Sequence, residues 1–197
     1  IIANDGLVSS DTFVATTGPV SNTPPTLTSS SISPDPAYAN QDLTCVGSGY
    51  ADADGDAEAV SYTWFVNGIE DSASALLTTP LLGGDTVLCR AVPSDGFDDG
   101  APSISLLTVS NTAPIIAGVT ISPENPRATD TLTCNWSGFS DDDGDPDISD
   151  VNWLVNGISA GTNITLSGAF TREDIVTCEV RPFDGEHFGV MLANNTT

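Results

Sequence analysis

Ser61–Ile69 reads SYTWFVNGI, and 89 residues further on Asp150–Ile158 reads DVNWLVNGI. Successive side chains of an extended chain point to opposite faces, so Tyr62, Trp64 and Val66 share one face. Asn67-Gly68 follows at once, and both residues tolerate positive φ, the signature of a two-residue hairpin turn. The stretch therefore predicts a strand over Val60–Val66 that carries an inward tryptophan and doubles back tightly.

The offset of 89 residues extends well beyond this stretch. Without a gap, Asn22-Thr23-Pro24-Pro25 falls on Asn111-Thr112-Ala113-Pro114, Leu43-Thr44-Cys45 on Leu132-Thr133-Cys134, Cys89 on Cys178, and Asp95-Gly96 on Asp184-Gly185. A fixed period of this kind marks a repeat architecture. It places one domain at 22–110 and a second at 111–197. Residues 1–21 then read as the C-terminal strand of a preceding repeat, because Asn4-Asp5-Gly6 matches Ser94-Asp95-Gly96 and the segment runs into SNTPP as Leu107–Asn111 runs into SNTAP. The chain begins Ile1-Ile2-Ala3 and Thr197 stops level with Thr108, so the expectation is a slice of a longer array.

Within the first repeat, further strands are expected at Thr26–Ser33, Asp42–Ser48, Ala75–Thr79, Thr86–Val92 and Ser103–Val109, lettered A, B, E, F and G with Val60–Val66 as C. Thirteen prolines, 18 glycines and short β-branched runs argue against long helices. A strand-B cysteine, a strand-C tryptophan 19 residues later and a strand-F cysteine 44 residues later recur in both repeats. This is the pattern of an immunoglobulin-like Greek-key β-sandwich, all-β throughout. With its recurring NTAP, ISP, DTLTC, DADGD, TWFVNG and PSDG phrases, the chain resembles the immunoglobulin-like and PKD-like repeats of large bacterial and archaeal surface proteins. The resemblance implies an intersheet disulfide in each domain, Cys45–Cys89 and Cys134–Cys178, packed on the indole; buried free thiols are the alternative. Disulfides place the chain outside the cytosol, extracellular or at the cell surface. A zinc site is disfavoured by the lack of CxxC pairs.

Charge is the second signal. The chain carries 27 acidic residues, four arginines and no lysine, for a formal net charge of −23. Such a surface repels nucleic acid and anionic lipid. No run approaches the ~18 apolar residues of a membrane-spanning helix. Fifteen of the acids crowd into or beside four loops, the B–C loops YADADGDAE (50–58) and FSDDDGDPD (139–147) and the two F–G loops. Alternate aspartates interrupted by glycine suit a hard cation bound through oxygen, calcium above zinc or magnesium. The candidate ligands are Asp52, Asp54 and Asp56 with Asp95 in the first domain, and Asp141, Asp143 and Asp145 with Asp184 in the second; Asn22 or Asn111 of the linkers could join them. The other reading is a solvated, turn-forming acidic loop. No helices flank these loops and no glutamate closes them, so they are not EF-hands.

Sequons at Asn135, Asn163, Asn194 and Asn195 are possible glycosylation sites, with unmodified surface asparagines as the alternative. Phe65 and Leu154 occupy equivalent outward positions on strand C, where they mark either a lateral contact or a site covered by a neighbouring strand. The single histidine, His187, has no nucleophile pattern beside it, and no enzyme is expected. The functional expectation is a calcium-stiffened rod of repeats, a stalk, adhesin shaft or filament body, advancing roughly 35–45 Å per repeat. Its partners are neighbouring repeats or copies of itself, joined in a continuous array or by strand exchange in which residues 7–20 complete another chain. A calcium-dependent adhesin module that binds a glycan or host protein is the rival.

Overall fold

The computed structural model describes residues 18–197, and everything in it is strand, turn or loop. The part of the expected leftover strand within residues 1–17 lies outside the described residues. The first domain contains β1 (Ser29–Ser33), β2 (Leu43–Ser48), β3 (Ala59–Val66), β4 (Ile69–Ser72), β5 (Leu76–Leu77), β6 (Thr86–Ser94) and β7 (Ser103–Thr108). The second repeats them as β8 (Gly118–Ser122), β9 (Thr131–Ser137), β10 (Asp150–Val155), β11 (Ile158–Gly161), β12 (Thr165–Ser167), β13 (Val176–Arg181) and β14 (Leu192–Thr196). Each domain is an antiparallel sandwich of a three-stranded sheet, β1-β2-β5 or β8-β9-β12, on a four-stranded one, β4-β3-β6-β7 or β11-β10-β13-β14. The fold class is the expected immunoglobulin-like one.

Residues of period two face the space between the sheets. On β6, Val87, Cys89 and Ala91 are buried while Thr86 and Arg90 are exposed. Trp64 lies directly opposite Cys89 in the β3–β6 register, and Trp153 opposite Cys178 in β10–β13. The disulfides Cys45–Cys89 and Cys134–Cys178 bridge the two sheets beside these indoles, with Cα–Cα separations of 6.3 and 6.1 Å. Both indoles are fully buried, and each satisfies its one donor by giving Nε1–H to a main-chain carbonyl, Ser74 at 2.8 Å and Asn163 at 2.9 Å. A buried N–H left unpaired would cost about 1–3 kcal/mol, so these bonds fix where the following segment crosses the core.

The hairpin turns form as read, with φ of 51° and 79° at Asn67-Gly68 and 50° and 81° at Asn156-Gly157. Two strands are shorter than expected. The β1–β2 ladder breaks where Gly49 takes φ +69°, then re-forms as the isolated pair Thr26–Ala51; Gly138 and the pair Ile115–Ser140 repeat this in the second domain. The expected Ala75–Thr79 strand is only Leu76–Leu77, because the Thr79 hydroxyl turns to Asp71 Oδ2 at 2.6 Å and Pro80 follows without an N–H to donate.

Candidate functional site

The B–C and F–G loops of each domain meet the incoming linker at one pole. In the B–C loops the first aspartate anchors the turn. Asp52 Oδ1 accepts N–H bonds from Asp54, Gly55 and Asp56 at 2.9, 2.7 and 3.1 Å, and Asp141 Oδ1 accepts from Asp143 and Asp145 at 2.9 and 3.2 Å. Gly55 and Gly144, at φ +83° and +80°, supply the left-handed residue that such a turn requires. The other oxygen of each anchor, Asp52 Oδ2 and Asp141 Oδ2, is buried without a hydrogen-bond partner among the described residues. Buried carboxylate oxygens normally find a donor, and here the same one is left over in both repeats.

The F–G aspartates hold the linker asparagines. Asp95 Oδ1 accepts from the N–H groups of Phe97 and Asp98, both at 2.8 Å, and its Oδ2 accepts from Asn22 Nδ2 at 2.9 Å. Asp184 does the same with Glu186 and His187, at 2.6 Å each, and with Asn111 Nδ2 at 2.9 Å. The bond to the Asp98 N–H, then that from Asn22, holds the Asp95 carboxyl below its ordinary value. At Asp184 burial pulls upward, but the bonds from His187, Glu186 and Asn111 together prevail and lower it. The linker asparagines thus bond carboxylates directly.

Two groups register the crowding of charge. Burial, then repulsion from Asp141, Asp184, Asp143 and Glu186, raises the Asp145 carboxyl above the usual aspartate value. Burial, then Asp52, Asp95, Glu58 and Asp56, raises the Tyr50 phenol. The B–C and F–G acids of each domain therefore share one electrostatic pole, although no three carboxylates or imidazoles among the described residues converge as a ready-made ligand set.

At the junction between the domains one carboxylate has a further role that the sequence did not announce. Asp143, only 8% exposed, accepts the Gly83 N–H of the first domain on Oδ1 and the Thr112 N–H of the linker on Oδ2, both at 2.5 Å. Asp54, its counterpart, accepts the Thr23 N–H on Oδ2 at 2.7 Å. Around this latch Val109 and Ser110 continue past β7 into the end of the first domain. Val109 N–H bonds Asp85 O, Gly84 N–H bonds Val109 O, and Ser110 N–H bonds Ala37 O, at 2.8–2.9 Å. The linker prolines Pro25 and Pro114 are buried, and a Cβ on Gly100 or Gly189 would collide with the carbonyl of the respective proline. Those glycines were legible only as loop residues.

Asn135, Asn163, Asn194 and Asn195 are all exposed, but Asn194 gives Nδ2 to Val119 O at 2.9 Å, which ties up the nitrogen a glycan would need. Phe65 and Leu154 are half-buried; Phe65 adjoins exposed Ile104 and Leu106 on an open sheet face.

No family model matches the chain, and no curated protein matches it. Among solved structures it is similar to a segment of two fibronectin type-III domains from chicken tenascin, at 12% identity and a TM-score of 0.45, over 85% of this chain and 96% of that one. The sandwich assignment rests on the strand order, the disulfides and the buried indoles described above.

Proposed function

We infer that the chain is a rod segment of a long extracellular protein of the immunoglobulin-like and PKD-like kind, a stalk or filament body whose junctions are stiffened by calcium. The observation that carries this reading is the Asp143 latch, in which one carboxylate holds both the preceding domain and the linker. A junction closed by main-chain groups and a buried carboxylate resists bending in a way that a loose linker does not. Close by, Asp145 feels repulsion from Asp141, Asp184, Asp143 and Glu186.

A cation relieves that repulsion. Asp52 and Asp141 each offer a buried oxygen without a partner among the described residues; around it Asp54, Asp56 and Asp95, or Asp143, Asp145 and Asp184, would have to draw together to give calcium the all-oxygen surroundings it prefers. Bound calcium would supply positive charge at the pole; the chain's own residues supply the latch and the turn. Structural disulfides fit the same extracellular setting.

The test is thermal unfolding with calcium and with a chelator at fixed ionic strength. An ion at ~100 times its dissociation constant stabilises by about 2.7 kcal/mol, a shift of roughly 10–20 °C for domains of this size. Asp52→Asn with Asp141→Asn keeps the turn-anchoring oxygen and removes the charge, and should abolish the calcium-dependent part. No calcium dependence beyond salt screening would leave the loops as plain turns. The adhesin reading finds support at one point, the 77% exposed Phe97 at an F–G loop tip where the second repeat has Glu186.

A further inference from the structure

The outer face of the four-stranded sheet in the first domain carries a shallow groove of about 440 Å³ lined by Phe65, Leu88, Arg90, Ile104 and Leu106, among others. The ladders set Glu70, Phe65, Leu88 and Leu106 side by side in one row across β4, β3, β6 and β7, with Arg90 and Ile104 in the next row on β6 and β7. Ile104 is 58% exposed and Leu106 68%, while Phe65 and Leu88 are half-buried. The strands run from pole to pole, so this face lies along the side of the domain, clear of the ends where neighbouring repeats attach. It is bare with both domains in place.

The second repeat shows that the fold does not require such a face. At the same positions it has Ser159, Leu154, Thr177 and Asn195 in the first row and Glu179 and Ala193 in the next. Its polar groups answer one another: Asn152 Nδ2 donates to Glu179 Oε2 and the Ser159 hydroxyl donates to Asn152 Oδ1, both at 2.9 Å. In the first domain Arg90 and Glu70 are exposed, and neither enters an ion pair among the described residues, where Arg172–Glu173 is the one pair. Apolar side chains that are bare in one repeat and replaced by polar ones in its copy mark a contact surface. Charge indicates what the contact is with. A chain of net charge −23 repels its own copies, so a copy can approach only where charge is balanced. Here Arg90, the one basic residue between 22 and 110, is matched by Glu70.

We propose that this face pairs with the same face of a second copy of the chain, joining two rods side by side. With strands about 4.8 Å apart and alternate residues about 6.8 Å apart along a strand, Arg90 and Glu70 lie diagonally across the face with Phe65 and Leu88 between them. A two-fold axis lying in the face, midway between Phe65 and Leu88 and oblique to the strands, therefore carries Arg90 of one copy onto Glu70 of the other and Glu70 onto Arg90, while Phe65 meets Leu88. The face is thus complementary to itself, apolar at its centre with an opposite-charge pair on either side. Those pairs fix the orientation more than they add affinity. A contact of this kind closes on itself, so it joins two chains and no more. It uses neither calcium nor the Asp143 latch.

Sedimentation equilibrium of the whole chain over a concentration series at physiological salt tests it. The expected result is a mass that rises from 20.2 kDa to twice that value and stops there. Ile104→Ala with Leu106→Ser alters residues exposed enough that folding is not at stake, and the pair should weaken association tenfold or more. Arg90→Glu and Glu70→Arg should each weaken it as well, and the two in one chain should restore it, because the exchanged charges meet again across the two-fold axis. Mass that stays at one chain throughout, mass that climbs past two, an apolar variant that associates as the parent does, or a charge exchange that fails to restore pairing overturns the proposal. The rod reading is scored separately, by calcium: chains that pair but whose unfolding ignores calcium keep the pairing and lose the stiffening, and the opposite result keeps the stiffening alone.

Discussion

Gly83 shows how much a junction asks of one residue. A Cβ there would lie 3.0 Å from both Asn111 Cα and Asp143 Oδ1, one of them main chain and the other the latch itself. The obstacle is contact, since Gly83 is not among the residues with positive φ. Gly83→Val should therefore leave each domain's unfolding within about 0.5 kcal/mol, as for an ordinary surface change, while the domains gain relative freedom; NMR relaxation would show two rotational correlation times in place of one. Asp174 sets a different condition on the second domain. The Thr171 N–H, then Asn156 Nδ2 and the Thr171 hydroxyl, hold its carboxyl below the ordinary 3.8. A carboxyl depressed in the folded state contributes its full stability above its unfolded value and loses it as pH falls through the folded one. Urea midpoints of the second domain should thus decline with acid below about pH 4, and more shallowly in Asp174→Asn, whose amide cannot accept at both positions.

At the scale of elements, each disulfide adds a large single increment to the stability of its sandwich. Each closes a loop with a sequence separation of 44, and the chain-entropy account assigns such a loop about 4 kcal/mol. Replacing both Cys134 and Cys178 by alanine should lower the second domain's unfolding free energy by roughly that amount in denaturant titration, and leave the first domain's transition in place. These pairs, the strands around Trp64 and Trp153 and the Asn-Gly hairpins were legible in the sequence, because period-two burial and turn chemistry are local. Strand ends were less so: the breaks at Gly49 and Gly138 depend on a φ that glycine permits without compelling. The acidic loops were legible as a pattern and ambiguous in meaning. Aspartate followed by N–H groups two to four residues on builds a self-anchored turn, and the same spacing wraps a cation, so Asp52 and Asp141 satisfy both descriptions with different oxygens. The Asp143–Gly83 bond was not legible at all. It spans 60 residues between a turn and a loop of different domains, and no local signal connects them.

For the whole molecule, the opposition is between a net charge of −23 and a junction that closes on a carboxylate. Screening weakens repulsion between exposed charges over a Debye length of about 8 Å at physiological salt, but acts less on a latch that is buried. Asp143 is therefore the residue through which overall shape should be most sensitive to a single atom. Asparagine at this position keeps one acceptor oxygen and turns the other into an NH₂ group facing a backbone donor, either Gly83 N–H or Thr112 N–H. One of the two connections is lost and replaced by donor facing donor, so Asp143→Asn should broaden the distribution of interdomain angles. Asp54→Asn, at the equivalent position but bonded to the Thr23 N–H at the other end of the first domain, should leave those angles unchanged. Residual dipolar couplings measured separately for the two domains decide the matter. A common alignment tensor in the parent and in Asp54→Asn, with a reduced one for one domain in Asp143→Asn, is the expected result. A common tensor in all three would mean that the linker prolines and the Val109–Ser110 insertion hold the rod straight without the latch.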